Sequence, residues 1–163
     1  MTSKDQTDPI KELTHDHGHL SELVQAAAAL LARMERAEEM SEGAIDELVH
    51  AVETLRDALL FHFAREEEGL FPFVDAKVPS LGPQVAELLA DHDAVIARTA
   101  ELLRAAELAA GMGVGYALCV STYDRFVEVY AAHAQSEQAL LRAVDAALDA
   151  DARTALRALL AAT

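Results

Sequence analysis

Apolar residues recur along this chain at steps of three and four, and nowhere over a useful length at steps of two, so the pattern predicts helices and no sheet. From Pro9 the series Ile10, Leu13, Leu20, Val24, Ala27, Leu31 and Met34 marks one buried stripe with a gap at position 17, ending near Glu39. Asp8-Pro9 opens this helix, an acceptor side chain at the cap followed by a proline whose missing N–H is not needed in the first turn. Ser41 caps a second helix with the seam Ile45, Leu48, Val52, Leu55 and Leu59, then positions 62 and 66, until Pro72 interrupts it. After Pro79, Gly82 and Pro83 a third helix carries Val85, Leu88, position 92, Val95, Thr99 and Leu102, and the cluster Gly111-Met112-Gly113-Val114-Gly115 closes it. The fourth carries Tyr116, Cys119, Tyr123, Phe126, Tyr130, positions 133 and 137, Leu140 and Val144, and Asp149 or Asp151 starts a short fifth helix through Leu160.

Short links force successive helices to run in opposite directions, so the expected fold is all-α: an antiparallel four-helix up-down bundle with a short C-terminal fifth helix. The expected organisation is a disordered N-terminus over 1–8, a four-helix metal-binding domain over 9–148, and a short helix over 149–163 packed on that domain. A length of 163 residues suits one core and not two.

The gaps in the seams carry the chemistry. Positions 17, 62, 66, 92, 133 and 137 belong on buried stripes, yet they are His17, His62, Glu66, His92, His133 and Glu137. At about 1.5 Å rise per residue, His17 and His62 lie at one level relative to the loop that joins their helices, and so do His92 and His133 relative to theirs. Spacing alone does not align the two pairs with each other. His62 with Glu66 and His133 with Glu137 stand at i and i+4, which stacks an imidazole and a carboxylate on one face, one turn apart. Imidazole suits iron, zinc and copper, and a carboxylate can bridge two ions. Ionised carboxylates in an apolar core cost several kcal/mol each even after relaxation. A domain of this size has only about 5–15 kcal/mol of net stability, so the pattern calls for bound cations. His15 and His19 are rotated about 200 degrees from His17 and should face water, as should His50. Glu67 and Glu68 read as a solvated face, Glu67 the nearer to the site. The tyrosines read as packing, with Tyr130, one turn before His133, the one placed to take a supporting role.

A formal charge of −15, from 13 Lys and Arg against 28 Asp and Glu, repels nucleic acid and anionic membranes. No stretch has the composition of a secretion signal or a membrane span, so a cytoplasmic protein is expected. The single cysteine, Cys119, excludes an internal disulfide and a Cys-rich metal motif.

With these residues in place, the chain resembles the hemerythrin-like, or HHE cation-binding, domain over nearly its whole length. His62-Phe-Ala-Arg-Glu66-Glu-Glu-Gly-Leu-Phe-Pro72 is similar to that family's second-helix signature, Asp16-His17 and Asp91-His92 to its first- and third-helix motifs, and His133-Ala-Gln-Ser-Glu137 to its fourth. The resemblance implies a non-haem di-iron centre, oxo- or hydroxo-bridged, with Glu66 and Glu137 as bridges and the four histidines as terminal ligands; zinc and manganese are the alternative metals. Oxygen-carrying hemerythrins place a second histidine four residues after the third-helix one, where this chain has Ile96. The smaller ligand set leaves positions open for dioxygen, nitric oxide or peroxide and favours a sensing or redox role over simple oxygen binding for carriage, with peroxide- or oxygen-reducing activity left open. A reductase or a second copy of the chain are the protein partners considered. Alternatives are an iron-binding or iron-sensing module without turnover, and a zinc or manganese hydrolase, for which no nucleophile or substrate groove is visible. Ferritin-type sites use Glu-x-x-His, the reverse order at another spacing.

Overall fold

The computed structural model describes residues 8–37, 41–112 and 115–163. The expectations for residues 1–7, for a first-helix end near Glu39 and for the Gly113-Val114 part of the closing cluster lie outside the described residues. The chain is all-helical, with no strand among the described residues: α1 is Pro9–Ala37, α2 Glu42–Arg65, α3 Phe71–Lys77, α4 Gly82–Met112, α5 Tyr116–Ala147 and α6 Ala150–Leu160.

The helix starts follow from side-chain acceptors. Asp8 Oδ1 accepts from the Ile10 N–H at 2.9 Å, Ser41 Oγ from Ala44 at 3.3 Å, and Asp149 Oδ1 from Ala152 at 2.8 Å. Of the two aspartates considered for the last start, Asp149 is the cap.

Pro72 does not end the second helical run. Between α2 and α3 the backbone passes through one π-helical turn, Glu66–Leu70, in which the Phe71 N–H bonds to the Glu66 carbonyl, and the helical run continues to Lys77. The wider turn resets the register so that Pro72 falls in the first turn of α3, where a missing N–H and fixed φ are tolerated. A 3₁₀ turn, Pro79–Leu81, then leads into α4.

The long helices touch in a ring: α1 packs on α2 and α5, and α4 packs on α2 and α5. Nearly every seam residue is buried, Tyr116 and Tyr123 being half-buried. The interior is not one continuous apolar column. One cluster at an end joins Leu31, Met34, Ile45, Leu48, Leu102 and Cys119; a second in the middle joins Leu20, Leu59, Phe63, Val95, Phe126 and Tyr130; a third, at the opposite end, joins Leu13, Leu70, Leu88, Leu140, Leu156 and Leu160. Positions 17, 62, 66, 92, 133 and 137 all fall between members of the second and third clusters. The polar layer therefore cuts the core at one level, and the two histidine pairs, unaligned by spacing alone, share it.

Leu48 is fully buried in the cluster farthest from that layer. Leu48→Ala should destabilise the fold by about 2–5 kcal/mol through lost burial and a cavity. Denaturant unfolding followed by circular dichroism measures this, and an unchanged midpoint would contradict the packing described.

Candidate metal centre

Four helices and the π turn contribute one or two side chains each to the polar layer. His17 comes from α1, His62 from the last turn of α2, Glu66 from the π turn, His92 from α4, and His133 with Glu137 from α5. They gather into two triads, His17, His62 and Glu137 in one and Glu66, His92 and His133 in the other, with one potential ligand atom of each member within 4.8 Å of the others. The carboxylates link the triads. Glu137 Oε1 lies 2.5 Å from His17 Nε2 and 3.5 Å from His62 Nε2, while its Oε2 lies 3.3 Å from His133 Nε2. Glu66 Oε2 lies 3.1 Å from His92 Nε2 and 3.7 Å from His62 Nε2.

The imidazoles are held by neighbours. His92 Nδ1 pairs with Glu67 Oε1 at 2.7 Å, which places a proton on Nδ1 and turns the Nε2 lone pair to the centre, the tautomer a metal ligand needs. Its ring is sandwiched between Phe63, at 3.8 Å between centroids and 10° from parallel, and Phe71 at 5.5 Å. Phe63 also meets His133 edge-on at 5.2 Å. On the other triad, His62 Nδ1 faces Asp16 Oδ2 at 3.8 Å, and Asp16 is fixed by Arg65 at 2.5 Å. Arg65 also takes Glu12 at 2.5 Å, and its side chain is only 8 % exposed. This buried cation balances part of the negative charge around the site.

Sequence reasoning missed Arg65, Phe63 and Phe71 and left Glu67 on the solvated face. Glu67 is 44 % exposed and still reaches the site. One signal for Arg65 was present: Glu12 and Asp16 stand at i and i+4 on α1, an acidic pair on one face that calls for a cation opposite. His15, His19 and His50 are exposed, away from the six. Tyr130 is buried in the middle cluster, stacked on Phe126 at 5.6 Å, its phenol pushed up by burial and by the charge of Glu137. Cys119 is buried and its thiol is likewise pushed up by burial, which keeps it protonated and unreactive.

Among the described residues, every buried side-chain nitrogen or oxygen without a hydrogen-bond partner belongs to this layer: both ring nitrogens of His62 and of His133, both oxygens of Glu66, and His92 Nε2. Orphaned buried polar atoms are rare and costly in native folds. Here they belong to four of the six side chains that form two triads of imidazole nitrogen and carboxylate oxygen, the donor set that fits first-row transition-metal ions.

The profile of the hemerythrin HHE cation binding domain matches residues 8–144, a span that holds all six side chains. The chain belongs to the hemerythrin HHE cation-binding family. Among curated proteins none matches it significantly. Membership gives the layer its chemical class: the hemerythrin domain binds metal ions, and the clustered His and Glu side chains of this member fit that role. No described helix of this hemerythrin-family chain is long and apolar enough to cross a membrane.

Without metal, the buried groups of the layer shift one another's proton affinities. Burial raises Glu66 well above the usual carboxylate range, and the charge of Glu137 raises it further. Burial would raise Glu137 too, but His133, His17 and His62 outweigh it and hold that carboxyl well below the usual range. Burial opposes a charge on His62, yet Asp16 and Glu137 prevail and push it up to about 9. Burial lowers His92 against the pull of Glu67. Because the folded value for His62 lies above its ordinary 6.5, its contribution to stability is complete below about pH 6.5 and is lost as pH rises through about 9. The metal-free protein should lose on the order of 2–3 kcal/mol over that window, and His62→Gln should flatten the profile. Thermal unfolding of the chelator-treated protein against pH measures it; a metal-free stability that is flat or rises from pH 6.5 to 9 would contradict the assignment.

Proposed function

We propose that His17, His62, Glu66, His92, His133 and Glu137 hold two iron ions, with the carboxylates of Glu66 and Glu137 shared between them, in an antiparallel up-down bundle, and that the centre binds, senses or reduces dioxygen, nitric oxide or peroxide. The observation that carries the reading is the pair of buried His and Glu triads, in which His62, Glu66, His92 and His133 hold side-chain atoms without a hydrogen-bond partner. Bound ions would partner the inward Nε2 atoms of His62, His92 and His133 and the Glu66 carboxylate, and would turn the most expensive part of the core into a cross-link between helices. Zinc and manganese compete for the same donors, and the mixed nitrogen and oxygen set with two imidazoles per ion favours iron over the harder magnesium and calcium.

Two features support a small ligand. The position one turn after His92 is Ile96, which joins the apolar packing and offers no donor, so each ion has fewer protein ligands than a six-coordinate iron can take. His17 is 18 % exposed, whereas the side chains of His62 and His92 are 3 % exposed, so the His17 triad is the one nearest solvent. A diatomic molecule or peroxide fits such an opening; a polymer does not.

The test is spectroscopic. Ferrous protein prepared without air should develop a near-ultraviolet charge-transfer absorption on exposure to air, peroxide or nitric oxide, and a spectrum indifferent to all three would discard the reading. Metal retention should also follow acid, since the imidazoles must be neutral and the carboxylates ionised to bind. Iron should leave as pH falls through the histidine range towards pH 4, and full retention at pH 4 would speak against these ligands.

A second reading, iron sensing without turnover, rests on the same orphaned atoms, because removing the ions leaves them unpaired in the middle of the fold. Under it the metal-free form is digested by protease much faster than the loaded form. Equal resistance of the two forms contradicts it.

A further inference from the structure

α6 lies beyond the matched segment 8–144, yet it forms part of the wall behind the metal layer. Arg153 ties it to Asp8 at the start of α1, at 3.1 Å, and to Asp145 near the end of α5, at 2.7 Å. Its buried residues, Leu156 and Leu160, enter the third apolar cluster, and the helix packs on the π turn Glu66–Leu70. Close approach there depends on Gly69. A Cβ at residue 69 would stand 2.9 Å from Leu160 Cδ2 and 3.7 Å from Thr163 Cγ2, so even the smallest side chain would make Leu160 move. Leu160 fills the space that a side chain at position 69 would need.

This contact leads to one triad and not the other. The π turn carries Glu66, fully buried at its first position, and Glu67, which pairs with His92. Phe71, directly after the turn, shares the apolar cluster of Leu156 and Leu160 and stacks on His92. The second triad, Glu66, His92 and His133, therefore rests on α6 through two adjacent supports. The first is fixed from elsewhere: His17 by its place on α1, His62 by Asp16 and Arg65, Glu137 by α5. A π turn in the middle of a helical run has poorer geometry than the α-helix around it and persists where packing holds it.

We propose that α6 is a buttress for the π turn, and that Leu160 seated on Gly69 is a positioning contact that sets the metal affinity of the Glu66, His92 and His133 triad while leaving the His17, His62 and Glu137 triad able to bind alone. The inference rests on the reading of the six side chains as ligands for two ions. Its consequence is an inequivalent pair: Glu66 also faces His62, so the first triad loses one shared carboxylate when α6 is loosened but keeps its own three donors.

Anaerobic titration with ferrous iron of the full-length wild type, Leu160→Ala, Gly69→Val and Leu48→Ala separates the outcomes. Leu160→Ala loosens the support, Gly69→Val wedges it away, and Leu48→Ala destabilises the fold at a distance. Expected are two equivalents for wild type and Leu48→Ala, and for both α6-contact variants one tight equivalent with the second weakened about 10- to 100-fold, the range seen when supports of metal ligands are removed. Adding His17→Ala to Leu160→Ala should then abolish the remaining tight site. If Leu160→Ala proves unfolded, Gly69→Val carries the comparison. Two unchanged equivalents in the folded α6-contact variants overturn the buttress, as does an equal loss in Leu48→Ala. A wild type that takes no iron overturns the metal reading itself, a result distinguishable from failure of the buttress alone.

Discussion

The structure turns on the cost of placing four imidazoles and two carboxylates in one layer of a helical core. Each ion left uncompensated there costs several kcal/mol, against a net stability of about 5–15 kcal/mol for a domain of this size. The rest of the molecule can be understood as ways of meeting that cost. Apolar clusters on either side of the layer supply burial. Arg65 brings a buried positive charge beside Asp16, and burial with the charge of Glu137 raises the proton affinity of Glu66 while, against burial, Asp16 and Glu137 raise that of His62. These are partial measures, since they leave a set of nitrogen and oxygen atoms with no partner. Bound cations would give the inward-facing imidazole nitrogens and the Glu66 carboxylate a partner.

The geometry that prepares the layer for cations is made by side chains that bind none. Glu67 fixes the tautomer of His92, Phe63 and Phe71 fix the plane of its ring, and Asp16 faces the outer nitrogen of His62. Preorganisation of this kind matters because a ligand already aimed at the centre has little rotamer freedom left to lose on binding. The π turn belongs with these supports. Glu66, at its first position, keeps α register with His62, its N–H bonding the His62 carbonyl, so one run of chain supplies a donor to each triad.

Much of this was legible in the sequence. The helix seams, the caps at Asp8 and Ser41, a last cap narrowed to Asp149 or Asp151, and the polar gaps at the six positions follow from periodicity and local hydrogen bonding, which depend on residues close in the chain. The outward direction of His15, His19 and His50 follows from the same rotation. What was not legible depends on contacts between distant segments. Arg65 is an ordinary helix residue until α1 brings Glu12 and Asp16 against it. Phe63 and Phe71 gain their role only when packing against α4 places His92 between their rings. Glu67 belongs to an exposed face by count, and its carboxylate reaches His92 only once α4 is packed beside it. Pro72 reads as a stop because a proline breaks an α-helix; it is accommodated because the backbone has already left α geometry one turn earlier.

The account as a whole depends on whether cations sit in the buried layer. Diffraction from crystals of iron-loaded protein, recorded on both sides of the iron absorption edge, tests this most directly. It should give two anomalous peaks, one among His17, His62 and Glu137 and one among Glu66, His92 and His133, both flanked by Glu66 and Glu137. Density without anomalous signal, with the same imidazoles and carboxylates hydrogen-bonded to ordered water or turned outward, would contradict it.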